Sequence, residues 1–291
     1  MPFLISLLLF CSTFKDHIGK NSLRIEGEKI AFALDKSRDI DKISARKNVT
    51  VRFANKVVIQ TDAIHYINHD HLESASGGTC HLTNGELEYE QISYDLKKEK
   101  LHLTNVKGQL CYEESAIPIH AKKLLLDKDT LIFEDHVSLH LPTLGELQAE
   151  TNVQILNEHL FILGKMDLFQ EGFHLHSDDQ FHYDASEGVL TVTSRKGEQI
   201  LFETKELKLL ADELTLDYEN GHPLRVRLKG AVRIESNSCH VAFDSLLCDR
   251  VDFPLEDDAM LLVTQGRQQH LFWEHNSPKT IYLGEGELPK R

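Results

Sequence analysis

The sequence is short of basic residues, of methionine and tryptophan, and of proline. Its 32 lysines and arginines are outnumbered by 46 aspartates and glutamates, which gives a net charge of −14 with histidine neutral. Nucleic acid and anionic membrane surfaces repel such a chain, so nucleic-acid binding is excluded. Only 7 prolines, with 41% hydrophobic and 27% charged residues, fit a folded soluble protein and exclude collagen and low-complexity chain. Three methionines and one tryptophan, beside many β-branched and aromatic residues, favour strands over helices.

The common catalytic motifs are also missing. The chain has no G-x-S-x-G elbow, no Walker loop, no G-x-G-x-x-G after a predicted strand and no H-E-x-x-H. The adjacent acids Asp178-Asp179 and Asp257-Asp258 would point to opposite faces of a strand, which favours solvated turns over a catalytic pair. We therefore predict that the protein is not an enzyme.

Histidine is plentiful, with 17 residues, yet no set of them forms a diagnostic metal site. His174 and His176 would share one face of a strand, with His182 close by in sequence. No further ligands follow at a spacing typical of metal sites, so we expect neither a metal nor another cofactor.

The five cysteines indicate which redox compartment the chain occupies. If Cys11 is removed with a leader, then Cys80, Cys111, Cys239 and Cys248 remain. In an oxidising periplasm the natural pairs would be Cys80 with Cys111 and Cys239 with Cys248. Reduced cysteines in the core are the alternative.

The one long apolar run lies at the N-terminus, from Pro2 to Phe14. It is too short for a transmembrane helix of about 20 residues and fits the apolar core of a secretory signal. Residues 1–20 are therefore predicted to be a signal peptide or an N-terminal anchor, which places the protein in the periplasm. Lipidation at Cys11 and a buried N-terminal strand are alternatives.

The most informative feature is a repeat of about 30 residues. A short alternating apolar segment that ends in Asp or Asn recurs at steps of 27 to 33 residues and is followed by a polar turn. The terminal residues of these segments are Asp35, Asn68, Asp95, Asp127, Asn157, Asp184, Asp217 and Asp249. Strict alternation over four to six residues predicts strands, and a fixed period predicts stacked units whose neighbours complete one core. We expect each unit to add one strand to each of two facing sheets.

One repeat carries a family resemblance. The stretch from Leu209 to Ser236, LLADELTLDYENGHPLRVRLKGAVRIES, resembles the repeat of the OstA-like family of lipopolysaccharide transport proteins. The residues that carry the resemblance are Ala211, Asp212, Leu214, Leu216, Tyr218, Gly230, Val232 and Ile234. Weaker copies begin at Ile43, Thr61 and His120, so the resemblance covers about residues 25 to 265.

The resemblance implies an all-β fold, an elongated open β-jellyroll or β-taco, over residues 21–270, with residues 271–291 as a tail or edge strand. Its apolar interior would shield the acyl chains of lipopolysaccharide on the way to the outer membrane. Other transport jellyrolls would be partners through edge-strand pairing, and copies of the chain could associate end to end. The alternating apolar residues of the first strands would line the groove: Ile64, Tyr66, Ile92, Tyr94, Leu124, Leu126, Val153, Ile155, Phe181, Tyr183, Leu214 and Leu216.

Three other interpretations of the repeats stay open. The chain could be a membrane-anchored member of the same pathway that passes lipid to the periplasmic bridge. It could be a right-handed β-helix acting on carbohydrate, although the rungs of that fold take about 20–25 residues. An adhesin or scaffold that uses only its strand edges is the third.

Overall fold

The computed structural model describes residues 13–18, 21–34, 40–54, 56–112, 114–128, 130–195, 198–205, 207–236, 245–255, 259–264, 267–272 and 283–284. Every regular element in these ranges is a β-strand, which confirms the predicted all-β, jellyroll-like fold. All strand pairings among the described residues are antiparallel, for example β10 with β11 and β23 with β24 (bounds below). A β-helix is built from parallel strands, so this alternative is wrong.

The chain divides into two compact units, Met1–Leu139 and His140–Arg291. The strands of unit 1 are β1 Thr13–Ile18, β2 Asn21–Glu26, β3 Lys29–Leu34, β4 Ile40–Phe53, β5 Val57–Ile67, β6 His71–Ser74, β7 Gly78–Leu82, β8 Gly85–Tyr89, β9 Gln91–Asp95, β10 Lys100–Tyr112, β11 Ser115–Asp127 and β12 Thr130–Glu134, with β13 Val137–Leu141 at the division.

The strands of unit 2 are β14 Gly145–Ala149, β15 Asn152–Leu156, β16 His159–Leu163, β17 Met166–Gln170, β18 Phe173–Ser177, β19 Gln180–Asp184, β20 Val189–Thr193, β21 Ile200–Thr204, β22 Leu207–Ala211, β23 Glu213–Glu219, β24 His222–Ser236, β25 Ser245–Pro254, β26 Ala259–Thr264, β27 Arg267–Phe272 and β28 Leu283–Gly284.

Unit 1 contains two ladders of strands that share their longest members. Ladder A runs through β1, β2, the second half of β4, the first half of β5, β7, β8, the second half of β10 and the first half of β11. Ladder B runs through β3, the other halves of β4 and β5, β6, β9, the other halves of β10 and β11, and β12. A long strand therefore crosses from one ladder to the other.

Unit 2 has the same organisation, and we use the same two names within it. Its ladder A contains β14, β17, β18, β21, β22, the second half of β24 and the first half of β25. Its ladder B contains β15, β16, β19, β20, β23, the first half of β24 and the second half of β25, then β26, β27 and β28.

In both units the chain crosses between the ladders along one margin, which we call the corner margin. The opposite margin carries the hairpin turns, and we call it the rim.

The crossings contain residues with left-handed backbone conformation. Lys47 and Asn48 lie at the crossing of β4, Asn105 at that of β10, and Gly230 and Ala231 at that of β24, all with positive φ. The pairing register shifts at the crossings of β4 and β24. These bulges bend a strand so that its two halves can join different ladders.

The repeat of the sequence corresponds to four strand segments, two in each ladder. Between Asp95 and Asp127, for example, the chain passes along ladder B, crosses to ladder A, turns at the rim and returns by the same route. We expected each repeat to add one strand to each of two sheets. This expectation is wrong, because each repeat adds two strand segments to each ladder. Asn68, Asn157 and Asp184 also end or follow ladder B strands at the rim. Asp249 instead lies within β25, and Asp35 lies outside the described residues.

Part of the predicted leader is a strand. Residues 13–18 form β1, which pairs with β2 along its whole length. Phe14 of β1 contacts Phe32 and Tyr66, with ring centroids 6.1 and 5.9 Å apart. Lys15, Asp16 and His17 follow the apolar run directly, so most of β1 after Phe14 is polar. Residues 1–12, including Cys11, lie outside the described residues, so cleavage, anchoring and lipidation stay predictions.

Candidate functional site: the apolar interior

The twelve predicted groove residues all lie on the inward face of ladder B. Eleven of them are buried with 5% or less of their surface exposed, and Leu126 is half-buried. The period of two residues explains this placement, because alternate side chains of a strand point to the same face. Ile64 and Tyr66 lie on β5, for instance, and Leu214 and Leu216 on β23.

The facing side of the interior in unit 1 is supplied by ladder A. Phe53 of ladder A packs edge-on against Tyr94 of ladder B, with 5.4 Å between ring centroids. Cys80, Leu87 and Ile117 of ladder A are fully buried. The two ladders therefore enclose a closely packed apolar layer.

The interior of unit 2 is equally apolar. Phe173 and Phe202 of ladder A stack with 5.0 Å between ring centroids, and Tyr183 and Tyr218 of ladder B meet edge-on at 6.1 Å. Leu175 of ladder A and Leu216 of ladder B are fully buried.

Backbone hydrogen bonds tie the ladders together along the corner margin. In unit 1 the amide of Glu90 donates to Thr104 O and that of Lys122 to Asp135 O, at 2.9 and 3.0 Å. In unit 2 the amides of Gly164, Ser194 and Asp212 donate to carbonyls of neighbouring crossings. Backbone hydrogen bonds thus join neighbouring crossings at several points of the corner margin in each unit.

The rim is held differently. Among the described residues, no backbone hydrogen bond joins a rim turn of ladder A to one of ladder B. In unit 1, Asn21 Nδ2 donates to Glu99 Oε1 at 3.1 Å, and Lys56 Nζ lies 4.0 Å from Glu99 Oε2. In unit 2, Tyr218 Oη donates to Gln170 Oε1 at 3.0 Å. Only side chains close this margin in the part of the chain described.

A second group of rim contacts in unit 1 centres on Asp16 of β1. Tyr66 Oη donates to Asp16 Oδ2 at 2.7 Å, and His69 Nδ1 lies 3.5 Å from the same oxygen. Partial burial disfavours the Asp16 carboxylate, but hydrogen bonds from Tyr66, from the amide of His17 and from His69 outweigh it and lower its pKa. Burial, and then the Asp16 carboxylate, raise the pKa of Tyr66. Tyr66 thus stays a donor and Asp16 an acceptor at neutral pH.

The histidines of the sequence analysis lie on the outer faces of unit 2. His174 Nε2 and His176 Nδ1 lie 2.8 and 2.9 Å from the same oxygen of Asp167, on ladder A. His182, on ladder B, stacks on the exposed ring of Phe161 with centroids 4.4 Å apart. These three histidines therefore do not converge. Among the described residues, no group of three or more His, Cys, Asp or Glu is arranged to hold a metal ion.

The predicted disulfide between Cys80 and Cys111 is not formed. Both thiols are free, as is that of Cys248, and Cys239 lies outside the described residues. Cys80 on β7 is buried in the interior, whereas Cys111 on β10 is exposed, and β8 separates their strands. Side chains on opposite faces of non-neighbouring strands cannot approach to disulfide distance.

Sequence reasoning missed the residues that hold the rim. Asp16, Asn21, Glu99 and Gln170 are polar residues near strand ends, and nothing in the local pattern distinguishes them from other solvated turn residues. Their partners lie 48 to 78 positions away in sequence.

Comparison with known proteins adds no relative. No protein-family model matches the sequence, and no curated protein is significantly similar to it. The described residues contain no helix that is long and apolar enough to cross a membrane.

Proposed function

We propose that the protein is a non-enzymatic periplasmic carrier that shields the acyl chains of lipopolysaccharide between its two ladders. One observation carries the proposal: the ladders share an apolar interior, joined by backbone hydrogen bonds at the corner margin and by side chains at the rim. Such a body can open at the rim while the corner margin stays intact.

The energetics of opening favour an apolar guest. Separating the ladders without a ligand would expose interior side chains such as Phe53 and Tyr94 to water. Acyl chains that enter the gap keep these surfaces covered and lose their own contact with water, worth about 0.8 kcal/mol per CH₂ group. The remaining cost of opening is the loss of the rim contacts, which is about 1 kcal/mol for each hydrogen bond.

Charge determines where the headgroup lies. The chain carries a net charge of −14 and repels the phosphates of lipopolysaccharide. The headgroup therefore stays outside the rim, in water or bridged by divalent cations, and affinity comes from the acyl chains.

Free strand edges supply a way to extend the carrier. Within the described residues of unit 1, β1 pairs only with β2, and β3 only with β4. An unpaired edge offers backbone donors and acceptors to a strand of another chain. We propose that other jellyroll transport proteins, or further copies, pair here.

Photocrosslinking to lipopolysaccharide tests the proposal. p-Benzoylphenylalanine replaces one buried residue at a time, at Tyr94 in unit 1 and at Tyr183 and Leu216 in unit 2. Exposed residues of the same ladder, Lys98 in a turn and Glu219 at the end of β23, serve as matched controls. We expect crosslinks from the buried positions and none from the exposed ones.

Circular dichroism of each variant shows whether the strands are intact. A folded protein that gives no crosslink at any buried position overturns the carrier proposal, as do crosslinks of equal yield at Lys98 and Glu219.

A further inference from the structure

A cleft lies on the outer face of ladder B in unit 1, beside the corner margin. Its volume is about 470 Å³, within the range of about 300–1,000 Å³ that small-molecule sites occupy. The strands β5, β6, β9 and β10 contribute its walls. Apart from Ile92, none of its lining residues is a predicted groove residue, so the carrier proposal does not depend on the cleft.

The cleft exists because the pairing of β6 ends before the corner margin is reached. β6 pairs with β5 up to the partners His65 and Glu73, and with β9 up to Ser74 and Ile92. The chain then crosses to ladder A through Ala75, Ser76 and Gly77. A gap remains between the flanking strands where the next residues of β6 would have paired. Small side chains line this gap, at Ala63, Ala75 and Ser76.

Hydroxyl groups of two buried side chains occupy backbone groups around the gap. Ser74, which is buried, donates through Oγ to Ala63 O at 2.6 Å and accepts from the Ser76 amide at 3.0 Å. Thr61, also buried, lies with its Oγ1 3.3 Å from Ser76 O and 3.2 Å from Gly77 O. A peptide could not add as a strand here, because the carbonyls it would need are taken.

Side chains, in contrast, offer unused hydrogen-bonding capacity to a ligand. The polar side chains of the wall are His65, Glu73, Ser74, Ser76, Gln91, Ser93, His102 and Thr104. No described residue forms a hydrogen bond with the side chains of Glu73, Gln91, His102 or Thr104. Burial and the positive charges of Lys42 and Arg46 outweigh the Glu73 carboxylate and lower the pKa of His65, which keeps the imidazole neutral. His65 binds Ser44 Oγ through Nδ1 at 2.9 Å, which leaves its Nε2 available.

The chemistry of this wall selects the class of ligand. The described residues that line the cleft include no lysine or arginine, so it is not built for phosphate or carboxylate. Imidazole, amide, hydroxyl and carboxylate groups instead match the many donors and acceptors of a sugar. Ala63 and Ala75 supply apolar surface for its C–H faces. We propose that this cleft binds a neutral hexopyranose or the end of a neutral oligosaccharide.

Saturation-transfer NMR on the full chain tests the inference. The probes are the methyl glycosides of glucose, galactose, mannose and N-acetylglucosamine. We expect saturation transfer to at least one of them. Glu73→Ala should weaken its binding about tenfold, since a hydrogen bond to a charged group is lost. Glu88→Ala, on the outer face of ladder A, is the matched control and should leave binding unchanged.

A second variant tests the position of the ligand. It fills the cleft with a larger side chain and leaves the charges of the wall unchanged. Ala75→Leu fills the gap from an exposed position and should abolish saturation transfer while the circular dichroism spectrum is unchanged. The inference is overturned if none of the four glycosides receives saturation from the folded wild type. It is also overturned if Glu73→Ala and Ala75→Leu both bind like the wild type. Crosslinking of lipopolysaccharide from the interior is a separate measurement, so either proposal can fail alone.

Discussion

The phenol of Tyr66 on ladder B donates a hydrogen bond of 2.7 Å to the carboxylate of Asp16 on ladder A. The two residues are 50 positions apart in sequence, and no backbone pairing joins their strands. The bond thus connects the ladders of unit 1 where side chains alone hold them. Its strength contributes to the cost of opening the rim.

Removing this bond should destabilise the protein. We expect Tyr66→Phe to lower the free energy of unfolding by about 1–2 kcal/mol, because a buried hydrogen bond to a charged acceptor is lost. Tyr94→Phe is the matched control, since Tyr94 is buried in the same ladder and makes no hydrogen bond to a described residue. Urea denaturation measures both. Equal losses in the two variants would contradict the assigned role.

The same contact predicts a dependence on pH. The pKa of Asp16 is lower in the folded protein than its ordinary value of 3.8. Its contribution to stability is therefore complete above the unfolded pKa and is lost as the pH falls through the lowered, folded pKa. We expect Asp16→Asn to remove this part of the acid destabilisation. Unfolding midpoints measured from neutral to acidic pH check it, and parallel curves for variant and wild type would refute it.

Locking the rim should block lipid uptake. We expect a flexible bis-maleimide that joins Asn21→Cys to Glu99→Cys, in a Cys111→Ser background, to reduce photocrosslinking of lipopolysaccharide from position 94. The physical reason is that the ladders can no longer separate on this side. The control joins Lys107→Cys to Glu88→Cys, an ion pair of 2.9 Å within ladder A. If both locks leave crosslinking unchanged, lipid does not enter through this part of the rim.

The inward faces could be predicted from sequence because burial follows a period of two residues. Leu214 and Leu216, for example, alternate with Thr215 and Asp217, and the structure buries the first two. The rim could not be predicted in this way. Contacts such as Tyr66 with Asp16 depend on how two ladders face each other, which alternation within one strand does not encode. The repeat also hid the crossings, because the left-handed residue Asn105 causes no shift of the pairing register and leaves the apolar pattern on both sides intact.

The crossing of β24 depends on a glycine. Gly230 has φ +74°, and a Cβ there would lie within 2.9 Å of the Asp212 side chain. We expect Gly230→Ala to cost about 2 kcal/mol or more, from backbone strain plus this clash. Gly221→Ala is the matched control, because its φ is +80° but its Cβ would meet nothing within 4 Å. Chemical denaturation of both variants checks the difference, and equal costs would show that the clash is relieved.

The cysteines should differ in their reactivity toward a thiol reagent. Burial raises the pKa of Cys80 to about 12 and that of Cys248 to about 11. We expect iodoacetamide to modify Cys111 in the native protein at mildly alkaline pH, and Cys80 only after denaturation, since the thiolate is the reactive form. Peptide mass spectrometry assigns each site. A disulfide-linked peptide that contains Cys80 and Cys111 would contradict the structure.

The sequence spacing of the strand pairing has a consequence for folding. Among the described residues, the paired residues that lie farthest apart in sequence are Phe173 and Thr204, which are separated by 31 positions. Each hairpin can therefore add to its predecessor before distant parts of the chain are made, and loop-closure entropy stays small for a β protein. Under mechanical force the same chain should yield in many small steps, because no single pairing holds its two ends together.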